Sequence, residues 1–300
     1  MLLTYSGIFS IFLNKMTFWI TGKGGMLGQD LCALAKRDFK IFESDKEVDI
    51  TNENAVMDYI HANKPGIIIN CAAYTAVDNA ETQTELNHKI NALGPEVLGK
   101  CAAKAGIGVV HISTDYVLSG KAPAPLKEDA PINPINAYGS AKAKGETSLA
   151  NSNPLHWIVR TAWLFGIKGK NFVNSMLNLM RTKEQISVVS DQFGNPTWTC
   201  DLAAAVLKIA ENPKNPGIYN FTNEGIASWH EFALEIQKQA LEKKLLAKAI
   251  PVLPISSSEW KSAAKRPSWS ALDKTKIKEN FNVQVPLWQN SLSKYLALET

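Results

Sequence analysis

The sequence runs to 300 residues, 45% hydrophobic and 20% charged, which fits a soluble globular chain with one large core and a smaller one. Its formal charge of +4 is spread thinly, with no dense basic run or basic-aromatic stripe. Nucleic acid is therefore not an expected partner, while a mildly basic cleft for a phosphorylated small molecule stays open.

Residues 1–15, MLLTYSGIFSIFLNK, hold an apolar stretch without basic residues ahead of it, without a small-residue cleavage pattern and too short to span a bilayer. They read as an N-terminal extension, with a membrane anchor as the alternative, and no membrane association is expected of the rest. From residue 17 short apolar runs alternate with amphipathic stretches. Residues 17–21, 40–43, 66–71, 108–113 and 155–161 read as buried strands, and 26–36, 53–63, 85–105 and 138–150 as the helices between them. Apolar runs without alternation, separated by helices, predict a doubly wound α/β domain with a parallel, Rossmann-like sheet. A helix over 201–211 and a strand over 217–221 return to that sheet. The predicted organisation is a dinucleotide-binding domain of 16–163 and 199–221, with 164–198 and 222–300 forming a smaller α/β substrate-binding lobe. The four cysteines, Cys32, Cys71, Cys101 and Cys200, form no close-spaced pair and read as buried thiols of a reducing, cytoplasmic compartment.

Gly22, Gly25 and Gly28 in TGKGGMLGQDL follow the first strand and open the first helix. Glycines there allow a tight turn and close approach of a pyrophosphate to the backbone and helix N-terminus. The second strand leads into FESDKEVDI, where Asp45 and Asp49 are candidates for the adenosine ribose and adenine edge, and Lys46 favours a 2'-phosphate instead. The choice between NADH and NADPH stays open. In NCAAYTAVDNAE, Ala72 and Ala73 permit close approach of a cofactor, and Tyr74, Thr75 and Asp78 follow. HISTDYV sets Thr114 and Asp115 at another strand end, with His111 expected as a satisfied core histidine.

Tyr138 and Lys142 stand four residues apart in AYGSAKAKGE, on one face of any helix. A phenol titrates near ~10, so a positive neighbour that favours the phenolate makes tyrosine usable as an acid or base near neutrality. Such a pair suits proton transfer at a sugar hydroxyl or carbonyl.

These blocks, with RTAWLFG, GKNFV, VVSDQFGNPT and RPSWSALD, make the chain from residue 17 to 292 resemble the extended short-chain dehydrogenase/reductase family, and within it the dTDP-4-dehydrorhamnose reductases. The resemblance implies NAD(P)H-dependent reduction of a dTDP-sugar C4 ketone in polysaccharide biosynthesis. It implies that Tyr138 protonates the ketone oxygen, Thr114 orients it, and Lys142 binds the nicotinamide ribose. It implies cofactor contacts at Gly25, Met26, Leu27, Asp49, Ile50, Ala73, Tyr74 and Thr75, with Met26 replacing a frequent glutamine. It further implies substrate contacts at Thr114, Asp115, Trp163, Lys170, Asn171 and Arg266, with Gln192, Pro196 and Thr197 in matching blocks. Ser44 and Asp45 compete for the acidic position ending the second strand. A homodimer and a divalent cation accompany some members. No metal-ligand spacing is visible, Asp30 is the one suggestive carboxylate, and neither Mg2+ nor any other metal is assigned. Two other readings share the motifs: a non-catalytic subunit resembling the methionine adenosyltransferase β subunit, and an epimerase or dehydratase that retains tightly bound NAD.

Overall fold

The computed structural model describes residues 16–120 and 124–299, so the expectations for residues 1–15 lie outside the described residues. Strands β1 (Thr17–Thr21), β2 (Lys40–Ser44), β3 (Ile67–Asn70), β4 (Gly108–Thr114) and β5 (His156–Thr161) alternate with helices α1 (Met26–Ala35), α2 (Glu53–Asn63), α3 (Thr84–His88), α4 (Gly94–Ala105) and α5 (Ala137–Ser152). Further along come β6 (Leu164–Phe165), α6 (Phe172–Thr182), β7 (Ile186–Val189), β8 (Phe193–Gly194), β9 (Thr197–Trp198), α7 (Thr199–Glu211) and β10 (Gly217–Asn220). The chain then forms β11 (Ala227–Ser228), α8 (Trp229–Glu242), β12 (Val252–Ile255), α9 (Thr275–Phe281) and α10 (Trp288–Ala297).

Six parallel strands form the main sheet in the order β10-β5-β4-β3-β1-β2. Strand β3 is buried along its whole length, as a strand covered on both faces must be. One face is covered by α1, α7 and α9 through Leu27, Leu31, Val206, Ile209, Ile277 and Phe281. The other is covered by α2, α4 and α5 through Val56, Ile60, Leu98, Cys101 and Leu149. The chain leaves β1 toward β2 on one side and returns to β3 on the other. This reversal opens a crevice beyond the carboxyl ends of β1 and β3, where ligands bind in open α/β sheets.

A second core gathers Phe165, Val173, Leu177, Phe232, Ile236 and Leu292 from α6, α8, α10 and their neighbours, beside the parallel pair β7 and β12. Its residues come from 164–198 and 222–300, but α9, inside the second segment, packs on the sheet instead. Ile277, Phe281 and Val283 cover Tyr219 and Phe221, so sequence adjacency to the small lobe does not decide where that helix docks. Cys32 and Cys101 are buried, whereas Cys71 and Cys200 are only half-buried, a correction to the expectation of four buried thiols.

The helix expected over 85–105 is broken by a π-turn at Lys89–Leu93. Pro95 has no N–H to offer the carbonyl of Asn91, four residues earlier, and a π-turn absorbs the break. That carbonyl faces α5 so closely that a Cβ at Gly145 would collide with it. The turn also frees the Asn91 side chain to clasp the loop after β3: Oδ1 accepts from the Tyr74 N–H at 3.0 Å and Nδ2 donates to the Tyr74 carbonyl at 2.8 Å.

Beneath α5 lies a buried ion pair. Arg160 of β5 reaches Glu146 of α5 at 2.8 Å, with both side chains 1% exposed. Ser113 donates to Glu146 at 2.5 Å, and Arg160 Nη1 donates to the Glu128 carbonyl at 3.1 Å. Removing one partner leaves a charge buried without compensation. Replacement of Arg160 by Leu should therefore cost about 3–5 kcal/mol in denaturant unfolding. The double replacement Glu146→Gln with Arg160→Met should recover most of that loss in the same measurement.

Candidate active site

The turn after β1 is shaped by contact rather than by flexibility. Gly22 has φ +68°, and a Cβ there would stand 2.6 Å from the Ala72 nitrogen of the loop after β3. At Gly28 a Cβ would collide with the Gly22 carbonyl, so only glycine lets α1 pack against the turn. The first turn of α1 has no side-chain cap and no acidic residue. Its N–H groups face the crevice, an arrangement suited to a pyrophosphate.

Two adjoining compartments occupy the crevice. The first, about 370 Å3, is lined by Gly22, Gly25, Asp45, Lys46, Asp49, Ile50 and Ala73. Asp45 accepts the Gly24 N–H at 3.1 Å, bracing the turn. Asp49 accepts from the Thr51 backbone and hydroxyl at 2.9 and 2.7 Å, and these bonds hold its carboxyl below the ordinary range. It also pairs with Lys89 at 3.4 Å.

The second compartment, about 410 Å3, shares Gly25, Cys71 and Ala73 with the first. Met26, Leu27, Gly28, Thr75, Thr114, Asp115, Tyr138, Lys142, Trp163 and Lys170 all line it. Helix α5 begins at Asn136, whose side chain accepts the Gly139 N–H at 2.7 Å. Glu81 accepts from the Ala137 N–H at 2.8 Å and Asn87 donates to the Ala137 carbonyl at 2.9 Å, so the turn carrying Tyr138 is held from three sides. A Cβ at Gly139 would collide with the Tyr116 carbonyl, and this closeness sets α5 against the end of β4. There Thr114 donates to Asp115 at 2.9 Å and accepts from the Tyr116 N–H at 3.2 Å.

Burial decides the electrostatics. It raises the Tyr138 phenol, with Asp115 adding to the rise and the Thr114 hydroxyl opposing it. Burial pushes Asp115 up to about 7, and its Oδ2 is buried without a hydrogen-bond partner. Lys142 is lowered to about 8 by burial, against the pull of Glu146. Its Nζ donates to the Ile112 carbonyl at 2.6 Å and lies 3.2 Å from His111 Nε2. The ammonium expected to draw Tyr138 toward phenolate is thus directed at β4, and the phenol is held as the protonated acid.

Trp163 has φ +50°, a conformation seldom taken by a bulky side chain. Its ring stacks on Trp229 with centroids 3.5 Å apart and planes 7° apart, and both rings line the second compartment. Trp229 was not anticipated, although Ser228 and Glu231 form a capping box that marks a helix start beside it. His111 is a buried core histidine as expected, with Asn70 and Lys142 as its partners.

Other expected contacts are spent within the protein. The Tyr74 hydroxyl donates to Gln83 at 3.0 Å, and Tyr74 lines neither compartment. Asn171 caps α6 by accepting from the Asn174 N–H at 3.0 Å and donates to the Gly166 carbonyl at 2.7 Å. The Arg266 fork, expected at phosphate oxygens, grips Asp78 at 2.8 and 3.2 Å. Gln192 donates to Ser257 at 3.0 Å, and buried Thr197 donates to the Asn195 carbonyl at 3.1 Å. Asp30 accepts from the Thr199 hydroxyl, and among the described residues no cluster of three His, Cys, Asp or Glu side chains suits a metal ion. Among the described residues, too, no helix is long and apolar enough to cross a membrane.

A protein-family model described as "RmlD substrate binding domain" matches residues 16–300. The dTDP-4-dehydrorhamnose reductase of Aggregatibacter actinomycetemcomitans is 38% identical over 286 residues, covering 93% of this chain and 97% of the relative. A solved dTDP-4-dehydrorhamnose reductase of Clostridium acetobutylicum superimposes with TM-score 0.89 at 40% identity, covering 95% of this chain and 99% of the other. The Bacillus anthracis enzyme of the same name, solved in complex with NADP, gives TM-score 0.89 at 38% identity, covering 95% and 100%.

The raised Asp115 carboxyl makes stability fall as pH rises. Between the ordinary carboxylate range and about 7 the folded protein binds more protons than the unfolded chain, so unfolding free energy decreases across that window. Asp115→Asn should therefore unfold at higher denaturant than the parent at pH 8, by a free energy of about 2–4 kcal/mol. The gap should close toward pH 4, as followed by urea titrations at both pH values.

Proposed function

We propose that this chain, which belongs to the RmlD substrate-binding-domain family, catalyses the NAD(P)H-dependent reduction of dTDP-4-dehydrorhamnose to dTDP-L-rhamnose. The observation that carries this reading is that Thr114, Tyr138 and Lys142 line a compartment continuous with the glycine turn and the N-terminus of α1. The constricted Gly22 turn and the uncapped helix end fit a dinucleotide, with Asp49 and Ile50 at its adenosine side. When bound, the nicotinamide supplies the hydride for C4 of the sugar. Tyr138 gives its proton to the C4 oxygen, and burial keeps that proton in place until the carbonyl accepts charge. Thr114, at the end of β4, orients the same oxygen. The Trp163 and Trp229 stack gives the deoxysugar a flat apolar wall, and Lys170 brings positive charge for the nucleotide diphosphate.

The finer choice of cofactor rests on Lys46. Asp45 is tied to the Gly24 N–H, whereas Lys46 lines the adenosine end and has no carboxylate within 4 Å among the described residues. Lys46 therefore favours a 2'-phosphate, and the protein uses NADPH in preference to NADH.

Oxidation of NADPH with freshly prepared dTDP-4-dehydrorhamnose tests the activity directly, and no oxidation with either cofactor would overturn the assignment. In the same assay Tyr138→Phe should lower kcat roughly 10²- to 10⁴-fold, with dinucleotide affinity by fluorescence titration nearly unchanged. Lys46→Glu should lower kcat/KM for NADPH about fivefold to tenfold relative to NADH, from loss of one charge-assisted contact. An unchanged ratio would remove Lys46 from cofactor selection.

A further inference from the structure

A buried chain of polar side chains crosses three strands beneath the site. Thr21 at the end of β1 donates to Asn70 Oδ1 at 2.7 Å, and the Ala72 N–H donates to the same oxygen at 3.1 Å. Asn70 Nδ2 lies 2.9 Å from His111 Nδ1. His111 Nε2 then lies 3.2 Å from Lys142 Nζ. Asn70 and His111 are fully buried and Lys142 is 1% exposed, so each group must find its partner inside this chain.

Partner chemistry fixes the direction of every bond. A backbone N–H cannot accept, so the Asn70 atom facing Ala72 is the oxygen and the atom facing His111 is the amide nitrogen, a donor. His111 Nδ1 therefore accepts. Burial pushes the His111 ring well below its ordinary value, so it is neutral, and with Nδ1 accepting from Asn70 its single N–H sits on Nε2. That N–H points at Lys142. An ammonium there would set two donors face to face, whereas an amine accepts the hydrogen and still donates to the Ile112 carbonyl at 2.6 Å.

We infer that His111 is a positioning residue for Lys142: locked by Asn70 with its hydrogen on Nε2, it favours the neutral amine of the lysine over its ammonium in the free protein. The other groups facing Lys142 do not cancel this. Glu146, one turn along α5, favours the charged form but is shared with Arg160 and Ser113. Cys71 is kept a neutral thiol by burial, which pushes it up to about 12. Tyr138, one turn earlier, is protonated, and Asp115 lies across the compartment beside Thr114. In the reduction, only the ammonium form of Lys142 offsets the phenolate left when Tyr138 gives up its proton, although in the free protein its Nζ rests on the Ile112 carbonyl. Turnover then falls as pH rises through the Lys142 transition, and His111 sets the pH of that fall.

The kinetic part rests on the reductase reading, but the tautomer does not, and it is measured without substrate. Long-range proton-nitrogen correlation spectra of the 15N-histidine-labelled, unaltered protein at pH 7, with His111 assigned by its absence in His111→Gln, should show protonated Nε2 and bare Nδ1. A protonated Nδ1 overturns the inference, whether or not the protein reduces any sugar. His111→Gln can turn its carbonyl oxygen to Lys142, so its alkaline limb in kcat/KM should move up by about one pH unit. A lower kcat with an unmoved limb is the signature of a merely structural histidine and would also overturn it.

Discussion

The whole site depends on the packing of α5 against the end of β4 and the π-turn at Lys89–Leu93. This contact brings Tyr138 to a wall of the crevice and sinks Lys142 between helix and sheet. It requires close backbone approach: Gly139 lies on the Tyr116 carbonyl and Gly145 on the Asn91 carbonyl, each with no room for a Cβ. The helix has almost no apolar stripe, so glycine contacts and buried polar bonds take the place that leucine packing takes in most helices. Desolvation follows from this closeness, and it raises the phenol and lowers the lysine together.

Much of the fold could be read from the residues. Strand β1 and helix α2 have the predicted limits, because an apolar run ending at a glycine turn and an Asn-capped amphipathic helix are both local signals. The π-turn at Lys89–Leu93 escaped prediction because Pro95 and Asn91 only make sense beside Gly145, more than fifty residues later. The docking of α9 on the sheet escaped for the same reason: Ile277 and Phe281 fit either core by composition.

The candidate site divides along a similar line. The positions of Thr114, Tyr138 and Lys142 at one compartment follow from their places at a strand end and a helix start. Whether a polar side chain is free to meet a ligand depends on neighbours distant in sequence, and here reading residues one at a time fails. Arg266 has the right chemistry for a phosphate but finds Asp78, 188 residues away, with two hydrogen bonds. Asn171 is likewise consumed by the start of α6. Trp229 carried no signal of its own until it was found stacked on Trp163.

The Asp78 and Arg266 pair acquires a different meaning from this. Asp78 lies in the loop after β3, also accepts the Ala264 N–H at 3.0 Å, and so ties that segment to the loop that lines the crevice. Close by, Asn136 donates to the Lys265 carbonyl at 2.8 Å while its oxygen caps α5. One residue therefore fixes both the start of the helix that carries Tyr138 and the strap that crosses from the smaller core. The turn that carries Tyr138 and the 264–266 segment thus share Asn136 as one of their anchors. On the reductase reading proposed for this chain, the placement of Tyr138 then depends on contacts between the two halves of the molecule, and a dinucleotide fold alone would not supply them.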